Sequence, residues 1–409
     1  GQACLRYNVR MPAGSLPYWR LSAYYFFYFA FIGGFSPYFG LYLQSLSFSA
    51  WDIGFLMSQM QLMRLFGPYL WGTLADRVGN RLNIIRLTSV VTLGAFAFFF
   101  VVSRFGTIFS VLAVLSFFWV ASLPLVETLT FDHLRENPGG YSRIRIWGSV
   151  GFILAVLGIG ALLDHLGLQS LLWANLVLSA GLVVNAFIIP EAAHLPVHQV
   201  QRPIAAILKQ PRVRTLLAAC FAMSAAHGAL NIFYSIFLTG LGHSKSVVGG
   251  LWTLGVLAEI VVFYYMTTLM RCFGLRTILI TCFVAAVVRF VAIGYGGSSL
   301  VILLPMQLMH GLTFGAFHAA AIAAVNRWFP GSTRSRGQAL YSSVSFGAGG
   351  LAGGLISGWA WEHLGSELTF ALSSFYALIG LLIVVVGLRN DDVTPAAAGA
   401  SLSGEPPEG

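Results

Sequence analysis

The polar residues of this 409-residue chain come in short clusters, and between the clusters run apolar stretches of about twenty residues. Runs of that length cross a bilayer core of roughly 30 Å as helices rising 1.5 Å per residue. Set against loop signals, they predict spans at 18–43, 51–74, 82–103, 107–133, 142–163 and 168–189. Six more follow at 213–240, 247–270, 276–295, 299–326, 337–361 and 366–388. Nothing alternates over ten-residue segments as a membrane barrel requires. The pattern predicts an all-α membrane protein of twelve transmembrane helices in two six-helix, pseudo-symmetric bundles. An N-terminal segment (1–17) precedes the first bundle (18–189), and a central loop (190–212) leads to the second (213–388). The tail at 389–409, rich in Ala, Gly, Ser and Pro, reads as disordered.

Charge orients these spans. The even-numbered connections, together with Arg389 after the last span, hold fourteen Lys and Arg residues, among them Arg77, Arg81, Arg143, Lys209, Arg271 and Arg334, while the odd-numbered ones hold Arg104 and Lys245. The positive-inside rule then puts both termini in the cytoplasm, and an odd number of spans would scramble the asymmetry. Composition agrees: 57% of residues are hydrophobic and 9% charged, with a mean hydropathy of +0.79. The net charge of +9 is strung singly along short loops and forms no patch for nucleic acid. Cys4, Cys220, Cys272 and Cys282 lack metal-ligand spacing and read as apolar fillers or spare thiols, so no metal is expected. Arg6, Arg10 and Arg20 precede the first span without a separate apolar core, so no cleaved signal peptide is expected, and Met11 is a candidate natural start.

The two halves echo one another. "WDIGFLMSQMQLMRLFGPYLWGTLADRVG" (51–79) lies over "SVVGGLWTLGVLAEIVVFYYMTTLMRCFG" (246–274), with Gly54 on Gly249 and Arg64 on Glu259. "ALLDHLG" (161–167) likewise answers "WAWEHLG" (359–365). Parallel repeats of this kind are a transporter plan with the site between the halves near the midplane. Glu259 falls about 18 Å along its span, and Arg289, Arg64 and His227 lie at similar depth, with His310 slightly further out. Ionisable groups at that depth belong in an inner cavity or against one another. His227, Asn231 and Tyr234 share one helix face, whereas His318 lies off the face of His310 by most of a right angle. Each of these residues also has a purely structural reading, as an ion pair or a packed, hydrogen-bonded side chain.

At "GTLADRVGNR" (72–81) the sequence resembles the major facilitator superfamily, whose second-to-third connection carries G-x-L-A-D-R-x-G-R-[KR]. Gly72, Asp76, Arg77, Gly79 and Arg81 match, and Asn80 departs. The resemblance implies a conformational latch, with the glycines allowing a tight turn and close helix approach and Asp76 set against a helix N-terminus of the other half. "PLVETLT" (124–130) and "RIRIWGSVGF" (143–152) resemble the lactose permease branch, where an acid and an arginine eighteen residues on form a pair; these fall on Glu127 and Arg145. "VLAEIVVF", "AAVVRFVAIG" and "MQLMHGLTF" resemble its proton-coupling stretches, placing that role on Glu259, Arg289 and His310. Within the branch the chain looks most like the phenylpropionate permease group, through "RIWGSVGF", "LWTLGVLAEIVVF" and "LMHGLTFGAFHAAA". Four positions depart from the sugar-transporting pattern: Thr313 and Gln307 stand where charged residues are expected, Phe152 replaces a tryptophan that stacks on sugar, and Val262 replaces an asparagine.

The implied function is proton-driven uptake, without a cofactor, of a small aromatic or apolar carboxylate, by a monomer in a bacterial inner membrane. Arg64, Arg145 and Arg289 against Glu127 and Glu259 leave one positive charge, which suits a monoanion held by an arginine fork. Arg64, Arg289, His227, Asn231, Phe152 and His318 are the expected substrate contacts. A sugar or nucleoside proton symporter is the alternative. Neither lysine follows a glycine in a phosphate-binding loop, which excludes an ATP-driven pump, and no H-E-x-x-H or G-x-S-x-G supports an enzyme.

Overall fold

The computed structural model describes residues 16–134, 140–192 and 203–389, save the side chains of Asp76 and Ser332. The sequence expectations for the N-terminal segment, most of the central loop, the tail and the Asp76 contact lie outside the described residues. Among the described residues, ten helices are long and apolar enough to cross a membrane. One of them, Lys245–Gly296, is two spans joined at Gly274, whose φ of 70° only glycine adopts without strain. The second span, Ala50–Val78, is not among the ten, because Ser58, Gln59, Gln61 and Arg64 lower its hydropathy. Counting both gives the twelve spans expected.

In chain order the first six are Tyr18–Ser45, Ala50–Val78, Arg81–Phe100, Phe105–His133, Tyr141–Leu166 and Ser170–Ile188. The seventh is Pro211–Gly240, broken at His227; the eighth and ninth are the two limbs of Lys245–Gly296. Leu300–Trp328, Arg334–Leu364 and Ser366–Gly387 complete the second half. Local chemistry sets their ends. Ser49 and Asp52 form a reciprocal capping box at the second span, Asn80 caps the third, and Ser244 caps the eighth. The tenth and eleventh spans each contain a π-helical turn, at Gly311–Ala316 and Ser343–Gly349.

Packing within each half is extensive, and the halves meet through the second span on the eleventh, the fifth on the eighth, and the first on the seventh. These meetings lie at mid-depth and at the end away from the arginine-rich connections. At the arginine-rich end the halves part. There Val261, Phe263, Tyr264, Tyr265, Thr267 and Thr268 of the eighth span are all exposed, and residues so close in sequence point around most of a helix. The second span behaves alike at Tyr69, Leu70 and Leu74, and nothing stands within 4 Å of where a Cβ on Gly72 would lie. Gly72 therefore serves no close helix approach in this state, contrary to expectation. Gly79, at a φ of 69°, does make the turn. Arg81 pairs with Asp132 of the fourth span at 2.6 Å, inside its own half, and Arg77 is exposed.

Candidate functional site

Small residues bring the eighth and tenth spans together. Gly311 lies against the carbonyl of Ala258, Gly315 faces Glu259, and the ring of His310 rests over Gly255. That approach lets His310 Nε2 reach Glu259 Oε1 at 2.8 Å. Glu259 takes His310 as its ion-pair partner, and Arg289 acts on it only at longer range. Arg289 is fully buried and donates from Nε to the Met306 carbonyl at 2.8 Å, from Nη1 to the Thr313 hydroxyl at 2.9 Å, and from Nη2 to Gln307 Oε1 at 2.9 Å. Two of these three acceptors are the positions where the chain departs from the sugar-transporting pattern. Neutral acceptors have taken the place of charged neighbours, so three of the five guanidinium donors are held by the protein and the buried side chain presents no surface to solvent.

The rings of His310, Phe314 and His318 form a stacked column, with centroids 5.5 Å and then 6.1 Å apart and planes within 11° and 13°. A regular helix would turn His318 well away from His310. The intervening π-helical turn slows the rotation per residue and brings the three into line. His318 Nδ1 lies 2.7 Å from the Tyr341 hydroxyl. His227, at the break in the seventh span, bonds the Met223 carbonyl through Nδ1 and sets its ring 6.1 Å from that of His310. Asn231 is exposed between the buried His227 and Tyr234, and so marks an opening on that face.

The first half contributes Arg64 and Arg145. Glu127 and Arg145 form no ion pair: Glu127 accepts from the Tyr141 hydroxyl at 2.9 Å, and Arg145 lies over the Phe29 ring at 3.9 Å. The face of Phe29 draws the guanidinium toward the first span, and Tyr141, one turn earlier, takes the carboxylate. Arg145 still acts electrostatically on Glu127, and also on Glu259 and His318 of the other half. Arg64 lies 6.0 Å from the centroid of Phe346, across the seam between the halves. Phe152 is half-buried where the fifth span packs on the first, its carbonyl against Gly33, and joins none of these clusters. Tyr141, Phe29, Phe314, Phe346 and Tyr341 were not singled out in the sequence, although Phe29 ends the aromatic run "YYFFYF" at 24–29.

This arrangement, charged and aromatic groups from two six-helix halves converging at mid-depth, defines a major facilitator-type membrane transporter. The chain belongs to the MFS_1-like family, whose model matches residues 18–372. It is therefore a transporter and not an enzyme. A probable 3-phenylpropionic acid transporter of Escherichia coli (strain K12) is 27% identical over 355 residues, covering 85% of this chain and 92% of that one. A maltose permease of Geobacillus stearothermophilus is 26% identical, over 90% of this chain and 93% of its own length. Among solved structures, the nucleoside transporter NupG (D323A mutant) superposes with a TM-score of 0.82 at 19% identity, covering 91% of this chain and all of that one, a likeness of fold.

Proposed function

We propose that the protein is a proton-coupled symporter of a small aromatic or apolar carboxylate, 3-phenylpropionate in size, working by alternating access in a bacterial inner membrane. The arginine-rich end and both termini face the cytoplasm, by the positive-inside rule. One observation carries the substrate reading: the Arg145 guanidinium sits on the face of Phe29, 3.9 Å from the ring centroid, while its neighbour Glu127 is bonded to Tyr141 instead. A substrate carboxylate docks at Arg145, with Arg64 nearby, and its apolar body lies along the column of Phe314 and His318 and the ring of Phe346.

Glu259 and His310 hold the coupled proton. An ionised Glu259 opposes a second carboxylate at Arg145, and protonation removes that opposition. Proton and anion thus favour each other's binding, a reciprocal coupling that amounts to symport. Arg289 is reassigned from substrate contact to internal strut. No cofactor is required beyond the proton gradient, and each half supplies part of the site, so one chain suffices. Sugar or nucleoside symport is the second reading, favoured by the buried amide of Gln59, whose nitrogen and oxygen both lack partners among the described residues.

Proteoliposomes given 3-phenylpropionate, cinnamate, lactose or a nucleoside in turn test both readings by external pH, with protein-free vesicles correcting for passive entry of the free acid. The aromatic acids are expected to alkalinise the outside, Glu259→Gln to abolish the signal, and Arg145→Lys to raise the KM at least tenfold. Alkalinisation with the sugar or the nucleoside alone would overturn the carboxylate reading and leave the symporter.

A further inference from the structure

At the end opposite the arginine-rich one, two carboxylates at equivalent places in the repeat reach across to the other half. Asp164 closes the fifth span and Glu362 the eleventh, aligned by "ALLDHLG" and "WAWEHLG". Each stands three residues before a glycine at positive φ, Gly167 at 80° and Gly365 at 83°. Asp164 accepts from the backbone amides of Lys245 at 2.9 Å and Ser246 at 2.8 Å, and from the Ser246 hydroxyl at 2.6 Å. Those are the first two residues of the eighth span, and Lys245 Nζ adds a contact at 3.7 Å. Glu362 accepts from the backbone amide of Trp51, the second residue of the second span, at 2.8 Å. The second and eighth spans are themselves equivalents in the repeat. Each half therefore sends a carboxylate to the unpaired amides that open a helix of the other half.

We propose that Asp164 and Glu362 are a matched pair of latches, each of which must leave its helix N-terminus before this end of the carrier can open. A transported molecule that enters at one end leaves at the other, so this closed end has to open once per cycle. The bonds are charge-assisted and strong for their number. They are also partly exposed, with the Asp164 side chain 21% accessible, so water takes over both partners when the halves separate. A bond that water can replace holds a gate without freezing it. The inference rests on the fold and on the transporter class, and on neither the substrate nor the proton site.

The test needs no substrate. Spin labels at V101C and V301C, both highly exposed and one in each half at this end, report its opening in the full chain in lipid nanodiscs, with Cys4 and Cys272 replaced by serine. A second pair, V78C and F273C, reports the arginine-rich end. Asp164→Asn and Glu362→Gln are each expected to raise the ratio of separated to closed distances about threefold, and the double variant about tenfold, as independent contributions multiply. The arginine-rich end should close in step, a readout that simple loss of stability would not give. Asp164→Glu and Glu362→Asp, which keep the charge, should stay near the parent ratio. Unchanged distances in a folded double variant, or in both single variants, would overturn the proposal.

Discussion

Arg289 shows how a guanidinium survives at the depth of the bilayer centre. It places three of its five donors on a carbonyl, a hydroxyl and an amide, all neutral. Taking one acceptor away strands a buried charged donor, and Thr313→Val is expected to cost about 1–3 kcal/mol. The measurement is a lowered unfolding temperature of the purified protein, with substrate affinity little changed, since Arg289 does not face the cavity. Depth along each helix was enough to draw Glu259, Arg289 and His310 into one neighbourhood from the sequence. Their pairing was not legible. It turns on which ring the glycines at 255, 311 and 315 allow to approach, and on Gln307 and Thr313 acting as acceptors, which a list of departures marks but does not explain. Glu127 and Arg145 were misread for the same reason: their spacing fits a pair, but the competing groups, Tyr141 and Phe29, are brought in by packing.

Among the elements, the second span was legible as an apolar run leading into the glycine-bearing motif at 72–81, even though its polar residues thin its hydropathy. The fold gives most of those polar residues a use, because Ser58, Gln61 and Arg64 face the eleventh span. Ser58 lies against Gly354, Gln61 against Gly350, and the Leu65 carbonyl accepts from the Ser343 hydroxyl. Further toward the closed end, a Cβ on Gly54 would stand 2.7 Å from the Cα of Gly358. That spacing leaves no room for a side chain while this end is shut. Gly358→Leu is therefore expected to hold the end apart, read as a dominant long distance between labels at V101C and V301C, and to slow transport at least tenfold. The π-helical turn of the tenth span was beyond the sequence, since regular periodicity puts His318 on a different face from His310. The column they form with Phe314 exists only because that turn falls between them.

For the whole molecule, the twelve spans and the repeat were readable because hydropathy and loop charge act at the scale of whole helices, where single contacts average out. Which end is open was not readable, as both states use the same residues. With the arginine-rich end parted, Asn231 stands exposed on the face of His227. A cysteine placed there should react with a membrane-impermeant maleimide added to that side, several-fold more slowly when a transported substrate is present. Equal rates with and without every transported substrate would remove Asn231 from the pathway.

The corner at Gly274 limits how such a machine can move. Two spans joined through one residue have no slack with which to slide along each other, so the segment from 245 to 296 moves as a hairpin with Glu259 on one limb and Arg289 on the other. The membrane field acts on both charges of that hairpin, and the arrival of a proton changes what it carries across the membrane.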